Sequence, residues 1–328
     1  MPPSLATFLA SQQHEPTVAR LAPALQHIAG ACIAIARAIR QAALTGSQGL
    51  AGSDNIQGEA QQKLDVISNE LMIEAARRCP QIAALASEEL DDIVQLNAST
   101  ADSLLLLTDP LDGSSNLDIG MTVGSIFSLL PATAGSVTTA SFLRPGHEQC
   151  CAGYALYGPA TMLVFTTGSE VNGFTLDEAR GEFLLTHPQL QIAPECSEFA
   201  INAANLRHWE LPVQRYIAEC QAGSAGPRGK DFNMRWVAAM VADVHRILLR
   251  GGVFLYPRDA RQPPGAGKLR LLYEANPMAL LIEAAGGAAS NGSERLLDMN
   301  PERLHQRTGV VLGARNEVER LASYHLSH

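Results

Sequence analysis

The sequence predicts a layered α/β fold, and three observations carry that prediction. Short apolar runs, LLLLT at 104–108 and SIFSLL at 125–130, are bounded by turn-forming residues, as buried strands are. Longer segments place apolar residues at helical spacing, as Leu64, Ile67, Leu71 and Ala75 do within EAQQKLDVISNELMIEAARRC (59–79). The two kinds of segment alternate without an internal repeat, which is the pattern of α/β or α+β layers. A chain of 328 residues suits one domain or two intimately packed ones.

Taken in order, residues 18–44 form an Ala-rich helix that Pro23 and Gly30 are expected to interrupt. TGSQGLAGSDN (45–55) is a Gly/Ser loop, and the helix over 59–79 follows it. After the two apolar strands come strand-like segments at 154–167, 170–176 and 181–187, the last two expected to pair around an Asn172-Gly173 turn. Composition loosens beyond Pro188, which places a boundary near 190–200. The remainder reads as a helix over 233–250, a strand at 251–257, a helix over 276–287, a strand at 309–313 and a closing helix over 316–326. In the 276–287 helix Pro277 suits the first turn, and Gly286 and Gly287 suit the stop.

Hydrophobic residues at 46% and charged residues at 17% describe an ordinary folded core. The formal charge of -9 argues against a general nucleic-acid binder, and an anionic substrate would have to meet local cations. No CxxC spacing links Cys32, Cys79, Cys150, Cys151, Cys196 and Cys220, and MPPSLATFLA lacks the basic region and apolar run of a signal peptide. No uninterrupted apolar stretch approaches the roughly 20 residues of a membrane span. A soluble cytoplasmic protein with reduced thiols, and no membrane partner, is expected.

Acidic residues cluster at Glu59 with Asp65, at Ser87-Glu88-Glu89, at Asp109 with Asp112, and at Glu274 just before a helix start. In Asp109-Pro110-Leu111-Asp112-Gly113 the proline and glycine force a turn on which two carboxylates converge. Hard divalent cations take oxygen ligands, and Mg²⁺ is held by a few carboxylates plus phosphate oxygens. Two ions about 4 Å apart can clamp the attacking and leaving oxygens of a phosphoryl transfer. The N–H groups of Gly113, Ser114 and Ser115 could form an anion nest beside them. A lone Asp-Pro-x-Asp-Gly is also a common surface turn, and Glu-Glu pairs are commonly solvated. The leucine run tips the balance, because it sets Asp109 at the end of a buried strand, where open α/β sheets bind ligands.

Beyond these features, KLDVISNE (63–70), SEELDD (87–92), DPLDGSSNLD (109–118), GSIFSLL (124–130), ALYGPATMLVF (155–165), MVADVHRILLRGGVFLYP (240–257), KLRLLYEANPMALLIEAAGG (268–287) and LHQR (304–307) resemble the class I fructose-1,6-bisphosphatase family. The match runs in order from about residue 55 to about 315. It implies an α-β-α-β-α sandwich of two tightly packed subdomains. Residues 1–195 would carry most metal ligands and the region of the family's effector site, and 196–328 the sugar-phosphate site. It implies Glu88, Asp109, Asp112, Glu274 and the Leu111 carbonyl as ligands for two Mg²⁺, with a third ion near Glu59 and Mn²⁺ able to substitute. Asp65 and Glu89 would orient or deprotonate the attacking water. Asp112, Gly113, Ser114, Ser115, Asn202, Tyr256, Lys268 and Arg270 would bind or screen the sugar bisphosphate. Arg235 matches an arginine donated across a subunit interface, which implies a homo-oligomer, tetramer or dimer.

The chain departs from the family pattern at Ala203-Ala204-Asn205, after Asn202, and at Trp236, where a phosphate-binding tyrosine is common. Indole donates one hydrogen bond and accepts none. The segments 45–55 and TTASFLRPG do not reproduce the family's AMP-binding features. Fructose 1,6-bisphosphate is thus the expected substrate, with sedoheptulose 1,7-bisphosphate the near alternative and an inositol phosphate the distant one. Asp243 and His245, two apart on a helix, point to different sides and are expected to be structural. No P-loop is present, and two residues rather than one separate Asp109 from Asp112, unlike haloacid-dehalogenase phosphatases that form an aspartyl-phosphate.

Overall fold

Alternate residues of the central strands face two different cores, and that period of two builds the layers. The structure is a computed structural model that describes residues 2–45, 47, 49–54, 60–263 and 265–327. Its helices are α1 (Leu5–Ser11), α2 (Pro16–Thr45), α3 (Lys63–Arg77), α4 (Leu211–Gln221), α5 (Met240–Arg250), α6 (Asn276–Ala284) and α7 (Arg315–Leu326). Its strands begin with β1 (Leu50–Asp54), β2 (Ala60–Gln62), β3 (Ile82–Ser87), β4 (Val94–Gln95), β5 (Leu104–Asp112) and β6 (Val123–Pro131). Next come β7 (Cys151–Tyr157), β8 (Thr161–Thr166), β9 (Val171–Asp177), β10 (Glu182–His187), β11 (Glu198–Ala200) and β12 (Asn233–Met234). The last are β13 (Val253–Tyr256), β14 (Leu269–Arg270), β15 (Ala288–Ser290), β16 (Arg307–Thr308) and β17 (Val310–Gly313).

One sheet has eight strands in the order β10-β9-β8-β7-β6-β5-β3-β4, and a second has five in the order β12-β11-β13-β17-β15. On the outer face of the first, Leu104, Leu106, Phe127 and Leu129 join Leu21, Leu25, Ile28 and Ile35 of α2 in one core. On its inner face Ile126, Tyr154 and Val164 meet α5 and α6, together with Phe254, Val310 and Leu312 of the second sheet. Val253, Leu255 and Val311 turn the other way, onto Val213, Tyr216 and Ile217 of α4 and Val318 and Leu321 of α7. The result is the expected α-β-α-β-α sandwich.

Several local expectations are corrected. Helix α2 runs unbroken through Pro23 and Gly30. Its stripe of buried Leu21, Leu25, Ile28, Cys32 and Ile35 outweighs the roughly 3 kcal/mol that an interior proline costs. By length and composition α2 could also cross a membrane, but that stripe is spent on the first core. Part of the 45–55 loop is strand β1, which pairs antiparallel with β2, so α3 begins at Lys63 and not at 59. Asn172-Gly173 lies inside β9, and the hairpin turns instead between Asp177 and Gly181. There Asp177 Oδ1 accepts from the Ala179 and Arg180 amides, and Gly181 supplies a φ of +67°. The helix expected over 233–250 starts at Met240, because Asn233–Met234 is strand and Ala238 has a φ of +67°. A π-helical turn, Leu271–Ala275, precedes α6 and carries Glu274.

Candidate active site

Within the eight-stranded sheet β3 and β5 run parallel, with Ser87 opposite Thr108. Their carboxyl ends therefore lie side by side, and the Glu88 amide donates to the Thr108 carbonyl at 3.0 Å. That pairing brings Glu88-Glu89 next to Asp109. The β5–β6 register shifts between Asp109 and Asp112, a bulge at Pro110-Leu111 that re-aims the chain. Asp109 Oδ1 accepts from the Leu111 amide at 3.0 Å. Asp112 Oδ2 accepts from the Val241 amide at 2.8 Å, at the N-terminus of α5, where a carboxylate is favoured. Glu274 Oε2 accepts from the Arg270 amide at 2.6 Å. Carboxylate oxygens of Asp109, Asp112 and Glu274 lie within 4.8 Å of one another, all buried.

Such crowding is written in the protonation of the site. Burial, and then Glu88, Asp112, Glu274 and Glu89 in turn, hold Asp109 well above the ordinary carboxylate range. Burial pushes Asp112 up to about 6 and Glu274 to about 7. Asp65, on the buried face of α3, is pushed by burial to about 7, although its Oδ2 accepts from the Gln62 amide at 2.7 Å. Arg270 answers part of the charge, its Nη1 lying 2.9 Å from Glu88 Oε1 with both side chains buried. An all-oxygen donor set with so much mutual repulsion fits a hard divalent cation.

Glycine is required at the bend after Asp112. Gly113 has a φ of +76°, and a Cβ there would stand 2.5 Å from Ala239 Cβ. Ser114 and Ser115 follow in a short 3₁₀ turn.

Every predicted site residue but two lines one cleft of about 430 Å³. Asn202, Tyr256 and Lys268 line the same cleft as the Asp65 and Glu89 carboxylates of the acidic segments. Arg235 is exposed outside the cleft, its Nε 3.8 Å from Glu198 Oε1. Glu59 lies outside the described residues. Asp243, expected to be structural, is a cleft residue as well as a buried one, and it accepts from the Val237 amide at 3.1 Å. Its place in the first turn of α5, the helix whose N-terminus faces Asp112, was the available signal. His245 instead bonds Tyr154 Oη at 2.8 Å. Trp236, weighed in the sequence for phosphate binding, lines the cleft stacked on Phe254 at 5.9 Å.

A layered α/β fold that ends a buried strand in clustered carboxylates, with a lysine and paired serines on the same walls, defines a hydrolase of the phosphatase class. Family models agree and sharpen this. The chain matches Fructose-1-6-bisphosphatase, N-terminal domain, over residues 4–188, and Fructose-1-6-bisphosphatase, C-terminal domain, over 192–326. It is 58% identical over 322 residues to a class 1 fructose-1,6-bisphosphatase of Methylobacillus flagellatus, covering 98% of this chain and 97% of that protein. The crystal structure of Leishmania major fructose-1,6-bisphosphatase in holo form has a TM-score of 0.91 at 36% identity, over 99% of each chain. The T-state structure of the Leishmania major enzyme has a TM-score of 0.87 at 34% identity, over 100% of each. The chain belongs to the class I fructose-1,6-bisphosphatase family. That family implies a divalent metal, which the acidic cluster fits.

Proposed function

We propose that the chain hydrolyses fructose 1,6-bisphosphate to fructose 6-phosphate and phosphate, by direct in-line attack of water in a Mg²⁺-dependent reaction. The convergence of Glu88, Asp109, Asp112 and Glu274, from three separate segments, on one cleft supports this reading best. These four, with the Leu111 carbonyl, would hold two Mg²⁺ ions, and Glu59 a third. Mn²⁺ suits the same oxygen donors. Bound metal supplies an acidified water and neutralises charge on the phosphoryl group.

Asp65 and Glu89 orient the attacking water, and one of them takes its proton. The water oxygen bonds to phosphorus as the bond from phosphorus to the C1 oxygen breaks, and the leaving oxygen takes a proton from solvent. No covalent enzyme intermediate forms. Gly113, Ser114 and Ser115 offer amides and hydroxyls to the phosphoryl oxygens. Asn202, Tyr256 and Lys268 position the sugar and the phosphate that does not react, and Asp112 a sugar hydroxyl. Arg270 screens Glu88 and its neighbours. Arg235, turned out of its own cleft, would reach a neighbouring subunit's site, so a homo-oligomer, tetramer or dimer, is part of the proposal. Of two subdomains, 1–195 would carry most of the metal ligands, and 196–328 would carry Glu274 and the sugar-phosphate binders Asn202, Tyr256 and Lys268. Six free cysteines suit a reducing, cytoplasmic setting.

The seven-carbon bisphosphate is the one rival a specific observation favours. Ala203 and Ala204, which follow Asn202 where the chain departs from the family pattern, are small and exposed. Phosphate release with Mg²⁺ from fructose 1,6-bisphosphate, sedoheptulose 1,7-bisphosphate and inositol 1-phosphate, measured side by side, tests the substrate. Asp112→Ala tests the metal site: activity should vanish with the fold intact. Retention of a tenth or more of wild-type rate, a barrier change under about 1.4 kcal/mol, would sink the ligand assignment.

A further inference from the structure

Ala238 has a φ of +67° and is one of two described residues other than glycine in the left-handed region. A Cβ crowds the backbone there, so something must hold the residue in place. The turn it sits in, Trp236–Met240, is gripped from two sides. On the β5 side Asn116 Nδ2 donates to the Val237 carbonyl at 3.3 Å, and the Val241 amide reaches Asp112 Oδ2 at 2.8 Å. Ala239 fills the space that a Cβ on Gly113 would need. On the α5 side the Asp243 carboxylate accepts from the Val237 amide, at 3.1 Å to Oδ1 and 3.4 Å to Oδ2. Asp243 is 1% exposed, and no role in the proposed chemistry uses it.

At one end of this turn Trp236 stacks on Phe254, with the rings 9° from parallel, and stands 6.1 Å from the Tyr256 ring. At the other end is the amide that orients Asp112. We propose that Asp243 is a positioning residue, whose carboxylate clamps the left-handed turn at Ala238 and so fixes the sugar end of the cleft relative to its metal end. The inference rests on the sugar-bisphosphate reading of that cleft. Burial raises Asp243 to about 7, and its carboxyl oxygens accept from the Val237 amide in either protonation state, so the clamp does not depend on the charge. Released from the clamp, Ala238 relaxes toward an ordinary φ and carries Trp236 and the Val241 amide with it. Glycine has no such preference. With glycine at 238 the clamp becomes largely redundant.

A double-mutant cycle therefore tests the inference. Asp243→Ala should lower kcat/KM about tenfold when residue 238 is alanine, and less than threefold in an Ala238→Gly background. Asp243→Asn keeps an acceptor for the Val237 amide and should lose less than threefold, which covers the case in which Asp243→Ala does not fold. Equal losses in the two backgrounds would overturn the clamp, and so would a tenfold loss in Asp243→Asn. Rates are taken on whichever of the three esters the wild type hydrolyses fastest. A wrong substrate then shows in the wild-type comparison, and a wrong clamp in the cycle.

Discussion

Removing divalent metal should make the stability of this protein fall as pH rises, in the range where most proteins are steady. Burial holds Glu274 at about 7, against an ordinary 4.5 for a glutamate. The metal-free folded chain therefore keeps a proton that the unfolded chain gives up above about pH 4.5. The folded state binds more protons across that window, so unfolding free energy declines with rising pH. The decline starts near pH 4.5 and is complete once pH has passed about 7. The gap between 4.5 and about 7, at 1.36 kcal/mol for each pH unit, is worth about 3 kcal/mol. Asp65, Asp109 and Asp112 act in the same direction, but the protons are shared across the cluster and the contributions do not simply add. For a chain of this size about 3 kcal/mol is about 4 °C in Tm. Bound Mg²⁺ takes the deprotonated carboxylates, so the Tm gain on adding it should grow over the same window. Thermal melts from about pH 5 to about pH 8, in EDTA and in excess Mg²⁺, measure this, and Glu274→Gln should flatten the EDTA series. A Mg²⁺ gain that shrinks with rising pH would refute the reasoning, because the cluster would then not be holding protons in place of metal.

Two further outcomes follow from the same geometry. Gly113→Ala would place a methyl 2.5 Å from Ala239 Cβ at a φ of +76°, and should lower stability by about 2 kcal/mol, read from the urea midpoint, with a loss of turnover. Arg270→Met removes the buried guanidinium 2.9 Å from Glu88, and should cost about 3 kcal/mol in EDTA and visibly less in saturating Mg²⁺, where metal takes over the screening.

What could be read from the residues and what could not divide along physical lines. The run Leu104–Thr108 signals its own burial, and all nine residues of β5 are indeed buried, but the strand does not end at Asp109: it runs on through the bulge to Asp112. The carboxylate positions were legible because their spacing and flanking strings carry chemistry as well as structure. The β1–β2 hairpin was not, since Gly- and Ser-rich segments show no period and the pairing is made by backbone groups. Asn172-Gly173 has the residue types of a tight turn, but the pairing of β9 with both β8 and β10 overrides that local preference. Asp243 was read as structural, and it is buried with a bond to the Val237 amide; that it also borders the cleft depends on the turn at Ala238, which alanine does not advertise. Arg235 points out of its own cleft, and a single sequence does not show the surface of a second subunit.

Helices α5 and α6 are packed between the two sheets, and their apolar residues Val241, Val244, Met278 and Ile282 belong to a core that draws on both. Neither sheet owns that layer. If either sheet frays away, the shared helices are left with one wall missing, and the remaining sheet loses support on its inner face. The two sheets should therefore melt as one cooperative unit, although the chain reads as two successive segments. The clustered carboxylates would then be disassembled only when the whole molecule opens, not by excursions of one half.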